Sequence, residues 1–518
     1  MRVKRRLCTE ELRKLVFAGL LFAAVAVEAE NAANPVTTEV FPLPVPVVFS
    51  SDMDRPVPFD AATTVVVDCP DEAAATWVDV HFARVYGKLA PRVMRGKAAL
   101  ELRAGEEAYA VAADASGVRI AARTLAGVRW AFYSLRQLAI ARRGTFQMEG
   151  RLLPTCSISD APQLAFRGVH ICWFPEVRTE QIERAIRLAA FMKFNYLVLE
   201  PWGMYRSVRH PWWGWPDGRM TKAEVRRLAA LGRDLGVTLV PQLNAFGHAS
   251  SSRSCTKKHA VLDLQPEYEP LFEPGGWNWC LTNPEAQRVL RELIDEMYED
   301  FGRPPFFHLG CDEAEPPGCP ECRKVPYGEL VCRHIADLAK HVEGMGARAM
   351  IWHDMLLKRG DPRWKGFVAC GTETTATLAN TLPKSVIICD WQYSYGNMKE
   401  ARADWPTTTY FKDKGFPVVG CPWMNYNAMR PMADNLAKIG GFGFLETTWH
   451  HLRGDDWSRM YTSAASAAWG AGHSPKANGY SAFGQVLRLV GQDMRLSDPK
   501  DTGTLNYQVP PGWWVDNN

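Results

Sequence analysis

Phe306-Phe307-His308-Leu309-Gly310-Cys311-Asp312-Glu313 runs straight into Ala314-Glu315-Pro316-Pro317-Gly318-Cys319. An apolar, aromatic run meets an adjacent acid pair, and a loop of Pro, Gly and Cys follows. The stretch reads as a buried strand that leaves two carboxylates at its C-terminal end. Neighbouring carboxylates in a partly desolvated cleft cannot both ionise cheaply, so their pKa values separate. One can hold a proton as a general acid while the other stays anionic.

Seven further segments repeat the same strand-like grammar: 166–173, 196–201, 237–244, 348–353, 386–391, 417–423 and 441–449. Between and after them lie segments with helical spacing of apolar residues, at 179–193, 221–235, 284–300, 328–344, 428–438 and 457–470. Near-continuous apolar strands alternating with amphipathic helices predict a parallel sheet covered by helices. Eight such units suit an α/β (β/α)8 TIM barrel spanning 161–480. An open doubly wound sheet would carry a Gly-rich phosphate loop after its first strand, and Phe166 to Pro175 has none. Ahead of the barrel, 30–160 reads as a small α+β accessory domain. Strands are expected at 64–67, 98–103, 108–112 and 118–121, then a helix over 125–141 and a linker over 154–162. Residues 481–518 are expected to pack on the barrel as a C-terminal tail.

On such a barrel the chemistry sits where the strands end. Those ends carry Trp173, Glu200, Trp202, Asn244, His248, Asp312, Glu313, Trp352, Asp354, Asp390, Trp391, Tyr393, Trp423, Glu446 and Trp449. Carboxylates and indoles converging on one face fit a sugar-cleaving cleft. The 19 Trp of the chain agree, although a large aromatic core accounts for most of them. Net charge is +3, with 47% apolar and 23% charged residues, so no global field points to nucleic acid or an anionic membrane.

The N-terminus reads as an export signal. Arg2, Lys4, Arg5, Arg6, Arg13 and Lys14 precede an apolar run from Leu15 to Val27, and Val27-Glu28-Ala29 offers small residues for cleavage near Ala29. Residues 1–29 are therefore expected to be removed. The mature chain is expected to be exported, with no stable membrane insertion, because no later stretch reaches 18 apolar residues. Of the 13 cysteines, Cys8 leaves with the signal, and Cys172, Cys311, Cys370, Cys389 and Cys421 read as buried thiols. Cys319-Pro320-Glu321-Cys322 is either half of a zinc site, with Cys332 or Cys280 nearby, or a disulfide clip. Its expected role is structural, with no catalytic metal and no cofactor.

The order of four motifs resembles family 20 glycoside hydrolases, the exo-acting β-N-acetylhexosaminidases. These are Glu107-Ala108-Tyr109 through Gly127-Val128-Arg129-Trp130-Ala131-Phe132-Tyr133-Ser134-Leu135-Arg136-Gln137-Leu138; Asp160-Ala161-Pro162-Gln163-Leu164-Ala165-Phe166-Arg167-Gly168; Val240-Pro241-Gln242-Leu243-Asn244-Ala245-Phe246-Gly247-His248; and His308-Leu309-Gly310-Cys311-Asp312-Glu313. The last is similar to the signature His-x-Gly-Gly-Asp-Glu. The resemblance implies a glycan substrate whose own 2-acetamido oxygen is the nucleophile. It implies Glu313 as general acid/base and Asp312 as the anion that orients the acetamido group. It implies substrate contacts from Arg167, His248, Trp352, Tyr393, Trp423, Glu446 and Trp449. Three positions depart from the family pattern: Cys311 in place of the second Gly, Cys172 where an Asp follows the arginine, and Gln242 where a Glu follows the proline. Two alternatives stay open: a carbohydrate-binding protein on a degenerate barrel, and a barrel glycosidase whose nucleophile is a conventional carboxylate such as Asp354, Asp390 or Glu446.

Overall fold

In the computed structural model, the described residues are 42–139, 152–174, 177–216, 218–250, 261–393, 405–423, 426–449, 454–470 and 479–495. The expected export signal lies outside them.

Strands β1 (Val48–Pro58) and β2 (Thr64–Asp68) precede helix α1 (Ala73–Tyr86). Then come β3 (Arg92–Arg95), β4 (Tyr109–Asp114), β5 (Gly117–Ala122), helix α2 (Leu125–Ala139) and β6 (Leu152–Asp160). They form one six-stranded sheet in the order β1-β6-β4-β5-β2-β3. Two expectations fail here. The strand expected at 98–103 lies instead at β3, on the sheet edge beside β2. The linker expected at 154–162 is mostly strand: β6 pairs antiparallel with both β1 and β4. Its Pro, Ser and Asp read as turn chemistry. Its burial nevertheless alternates: Cys156, Ile158 and Asp160 are buried, while Ser157 is exposed and Ser159 half-buried.

The eight expected barrel strands are all present. They are β7 (Phe166–Cys172), β8 (Tyr196–Glu200), β9 (Thr238–Pro241), β10 (Phe306–His308), β11 (Arg348–Trp352), β12 (Ile387–Trp391), β13 (Val418–Cys421) and β14 (Gly443–Thr447). All pair in parallel, in the order β10-β11-β12-β13-β14-β7-β8-β9. A parallel bridge between Gln242 and His308, with Leu243 N–H donating to His308 O at 2.9 Å, joins β9 to β10 and closes the ring.

The covering helices are α3 (Thr179–Phe191), α4 (Lys222–Leu235), α5 (Pro284–Asp300), α6 (Tyr327–Gly344), α7 (Pro406–Asp413), α8 (Tyr426–Ile439), α9 (Gly454–Trp469) and α10 (Gly479–Asp493). Their ends are written in the sequence. Thr221 caps α4 by accepting from Glu224 N–H, and Asn283 caps α5 by accepting from Glu285 N–H, with Pro284 in the first turn. The last described helix, α10, packs on α3 and α9, and the rest of the expected tail, 496–518, lies outside the described residues.

The barrel interior decides which side chains can serve a site. Phe166, Val198, Val240, Phe306, Met350, Trp352, Ile387, Cys389, Trp391, Val419, Cys421 and Leu445 form one buried cluster. Each fully buried aliphatic or aromatic among them contributes roughly 1.5–3 kcal/mol. Strand side chains alternate with period two. The inward set on β7 is therefore Phe166, Gly168, His170 and Cys172, and on β14 it is Gly443, Leu445 and Thr447.

Candidate active site

The acid pair sits on a bend rather than on the strand itself. β10 ends at His308, after which Gly310, Cys311 and Glu313 all take positive φ, at 65°, 74° and 47°. Gly310 is required: a Cβ there would lie 2.4 Å from Asn244 Oδ1. Cys311 occupies a left-handed position that suits glycine, at a cost of roughly 1–2 kcal/mol. Its thiol is buried and donates to Leu309 O at 3.4 Å. Gly247 is equally constrained, since a Cβ would fall 2.1 Å from Asp312 O. Bare backbone there lets the loop after β9 press against the loop after β10.

That contact delivers His248, itself at φ 56°, to both carboxylates. Its Nε2 lies 3.4 Å from Asp312 Oδ2 and 3.4 Å from Glu313 Oε2. Burial alone would depress the imidazolium, but the two carboxylates outweigh it and push its pKa up to about 10. His248 is thus a cation at neutral pH and bridges the pair. Asp312 is 5% exposed, whereas the Glu313 side chain is 46% exposed. Burial raises the Asp312 carboxyl above its ordinary range, and the His248 charge works against that rise. Asp312 Oδ1 is buried and has no hydrogen-bond partner among the described residues. An orphaned acceptor of this kind costs about 1–3 kcal/mol unless a ligand group meets it.

Asp354 fixes the bend from below. Its Oδ2 accepts the Glu313 backbone N–H at 2.9 Å, and its Oδ1 accepts the Trp391 indole N–H at 3.3 Å. Burial first, and then the Asp312 charge, push its pKa up to about 7. On the other side, Trp277 Nε1 donates to Glu313 O at 2.8 Å, and its ring packs 4.3 Å from that of His248.

The aromatic residues expected at the mouth come together. Trp352 packs on His308 at 4.3 Å and on Trp449 at 5.4 Å. Trp449 donates its indole N–H to the Tyr393 hydroxyl, and Tyr393 meets Trp423 edge-on at 5.2 Å. These four side chains form a continuous wall. Burial holds the Tyr393 phenol protonated, far above its ordinary pKa.

Two expected substrate contacts lie elsewhere, and both fail by strand parity. Arg167 alternates with the inward Phe166 and Gly168, so it points away from the barrel interior. Its guanidinium grips Glu107 of the accessory domain at 2.6 and 3.2 Å, and the carbonyls of Leu164, Ala165 and Lys193. Glu446 alternates with Leu445 and Thr447. It is fully buried, facing α9, where its charge helps raise the Tyr461 pKa.

The barrel also joins the strand-end residues Glu200 and Asn244 to His170 and Cys172 in one polar set. Glu200 accepts from Asn244 Nδ2 at 2.7 Å and pairs with His170 Nε2 at 3.0 Å. It stands in register with Cys172, whose thiol donates to it at 3.5 Å. A carboxylate therefore sits beside the position where Cys172 replaces an acid. His308 lies mid-barrel, where burial first, and the neighbouring His170, push its pKa down to about 3. Every described cysteine is a free thiol, so Cys319 and Cys322 form no disulfide clip.

A closed parallel barrel with an acid pair and an indole wall at its C-terminal mouth defines a glycoside hydrolase. Residues 37–161 match the model for glycosyl hydrolase family 20, domain 2, and residues 177–438 match that family's catalytic domain. The chain belongs to glycosyl hydrolase family 20. It is 28% identical over 309 residues to a β-N-acetylhexosaminidase from Cellulomonas fimi, covering 53% of this chain and 60% of that protein. It is 23% identical over 331 residues to a β-hexosaminidase from Vibrio furnissii, covering 55% and 52%. It thus spans only half to three fifths of these curated relatives. The crystal structure of β-N-acetylhexosaminidase from Bacteroides fragilis shares the fold at a TM-score of 0.63 and 16% identity, over 91% of this chain and all of that one.

Proposed function

We propose that the chain is an exo-acting β-N-acetylhexosaminidase that releases terminal, non-reducing, β-linked N-acetylglucosamine or N-acetylgalactosamine with retention. The observation that carries this reading is the Asp312–His248–Glu313 arrangement: one buried carboxylate with an open oxygen, one half-exposed carboxylate, and one imidazolium touching both.

Glu313 faces solvent enough to meet a leaving group. As an acid it protonates the glycosidic oxygen while the substrate's acetamido oxygen attacks the anomeric carbon. The product is an oxazolinium, and no covalent bond to the protein forms. Glu313, now a carboxylate, takes a proton from the water that opens the ring. Asp312, as the anion paired with His248, accepts the acetamido N–H on its unpartnered Oδ1 and stabilises the positive ring as it forms. Tethering the nucleophile to the reacting sugar supplies a high effective concentration. The half-buried Trp449, Tyr393 and Trp423 are suited to stack on a sugar face, with the fully buried Trp352 backing them.

Asp354 is a poor conventional nucleophile, because both of its oxygens already accept protein N–H groups. We also propose export of the mature chain, on the basic and apolar N-terminal segment. No helix among the described residues is long and apolar enough to cross a membrane. The test of function is a panel of chromogenic β-glycosides. Cleavage of the two N-acetylhexosaminides with little action on the plain β-glucoside supports the reading. Comparable rates on the glucoside exclude substrate assistance.

A further inference from the structure

Among the described residues, a four-membered side-chain cluster away from the barrel interior has the composition and spacing of a metal centre. Glu273 and Cys280 lie between β9 and α5, and Cys319 and Cys322 lie between β10 and α6. One ligand atom from each of the four falls within 4.8 Å of all the others. Cys280 Sγ is 3.8 Å from Cys319 Sγ and 3.7 Å from Cys322 Sγ. A tetrahedral zinc ion with Zn–S bonds of ~2.3 Å has sulfur–sulfur edges of about 3.8 Å. The separations match that edge and are far too long for a disulfide.

The fourth corner is independent of the thiols. Glu273 is 5% exposed. Its Oε2 accepts the backbone N–H of Gly318 and of Cys319, both at 2.7 Å, which aims the carboxyl into the cluster. Its Oε1 is buried and has no hydrogen-bond partner among the described residues. Neighbouring groups orient the sulfurs: Cys322 N–H donates to Cys319 Sγ at 3.3 Å, and Thr282 Oγ1 lies 3.2 Å from Cys322 Sγ.

We infer that Cys280, Cys319, Cys322 and Glu273 bind one zinc ion in a closed, structural site. Three thiolates and a carboxylate in a tetrahedron select zinc over hard cations, and four protein ligands leave no position for substrate. The ion ties the loop after β9 to the loop after β10. The same two loops carry the Trp277–Glu313 and Asn278–Glu315 contacts. The zinc therefore braces the frame of the acid pair without touching the reaction.

The experiment measures metal on the purified, reduced full chain, dialysed without chelator. About one zinc per chain is expected, released when an organomercurial blocks the thiols and read with a chromogenic indicator. The Cys319→Ser/Cys322→Ser double variant should lose the metal, and Glu273→Gln should bind it more weakly. Should the double variant fail to fold, cobalt exchanged into the parent decides: an intense thiolate-to-cobalt band with tetrahedral d–d absorption supports the site. Reduced parent that holds no zinc and takes up neither zinc nor cobalt overturns the inference. So does zinc retained undiminished in a folded double variant.

Discussion

The two ends of the barrel hold buried charge in opposite ways. At the N-terminal end, Arg167 engages all three guanidinium nitrogens with Glu107 and three carbonyls, and Lys193 is equally buried against Asp160 and Tyr109. At the C-terminal end, Asp312 keeps one oxygen unpaired and Glu313 stays half exposed, on a bend with three positive φ angles. Complete pairing at one end joins the accessory domain to the barrel. Incomplete pairing at the other leaves hydrogen-bonding capacity for a substrate. Burial and charge alone do not separate structure from function; the unfilled acceptor and the backbone strain do.

Swapping residues at the two ends should give crossed phenotypes. Glu313→Gln should lower kcat on substrates with poor leaving groups by ~10²–10⁴-fold, with little change in thermal midpoint, because the side chain is half exposed. Activated aryl glycosides should suffer less in the first step. Equal and slight losses on both substrate types would remove Glu313 from the acid role. Arg167→Met should do the reverse, leaving Glu107 with an uncompensated charge and costing about 3–5 kcal/mol of stability in denaturant titration. Its kcat per folded molecule should match the parent. A large kcat loss at undiminished stability would return Arg167 to the substrate.

The effect expected to be smaller is on pH dependence. His248 titrates near 10 when folded, against an ordinary 6.5, so the folded state binds its proton more tightly. Its contribution to stability is complete below pH 6.5 and is lost as pH rises through 10. Replacing His248 with Gln should flatten the stability profile over that window. An unchanged alkaline slope would mean that His248 does not bridge the acids.

The strands of the barrel were legible because each is a short apolar run between polar helices, and all eight lie where those runs predict. The accessory sheet was less so. β6 carries Pro154, Ser157 and Asp160, residues whose turn chemistry masks an alternating buried face. The acid pair was legible from its position at a strand end. Arg167 and Glu446 were misread because a strand buried on both faces has no polar side to mark its inward parity. Only the neighbours Gly168 and Leu445, seen in the packed barrel, settle which way each points. His170 was missed because it sits within a strand that reads as apolar, and His308 was read only as part of the signature, with no contact assigned to it. The role of Cys280 needed the fold, since 39 residues separate it from Cys319.

The central claim is that the open oxygen of Asp312 faces the acetamido group as its ring becomes cationic. The direct measurement is the Ki of a thiazoline mimic of that cation against the parent and against Asp312→Asn. The amide keeps the shape and removes the charge. The parent should bind the mimic at least ~10²-fold more tightly than Asp312→Asn, in step with a fall in kcat. Equal Ki values in the two folded proteins would contradict it.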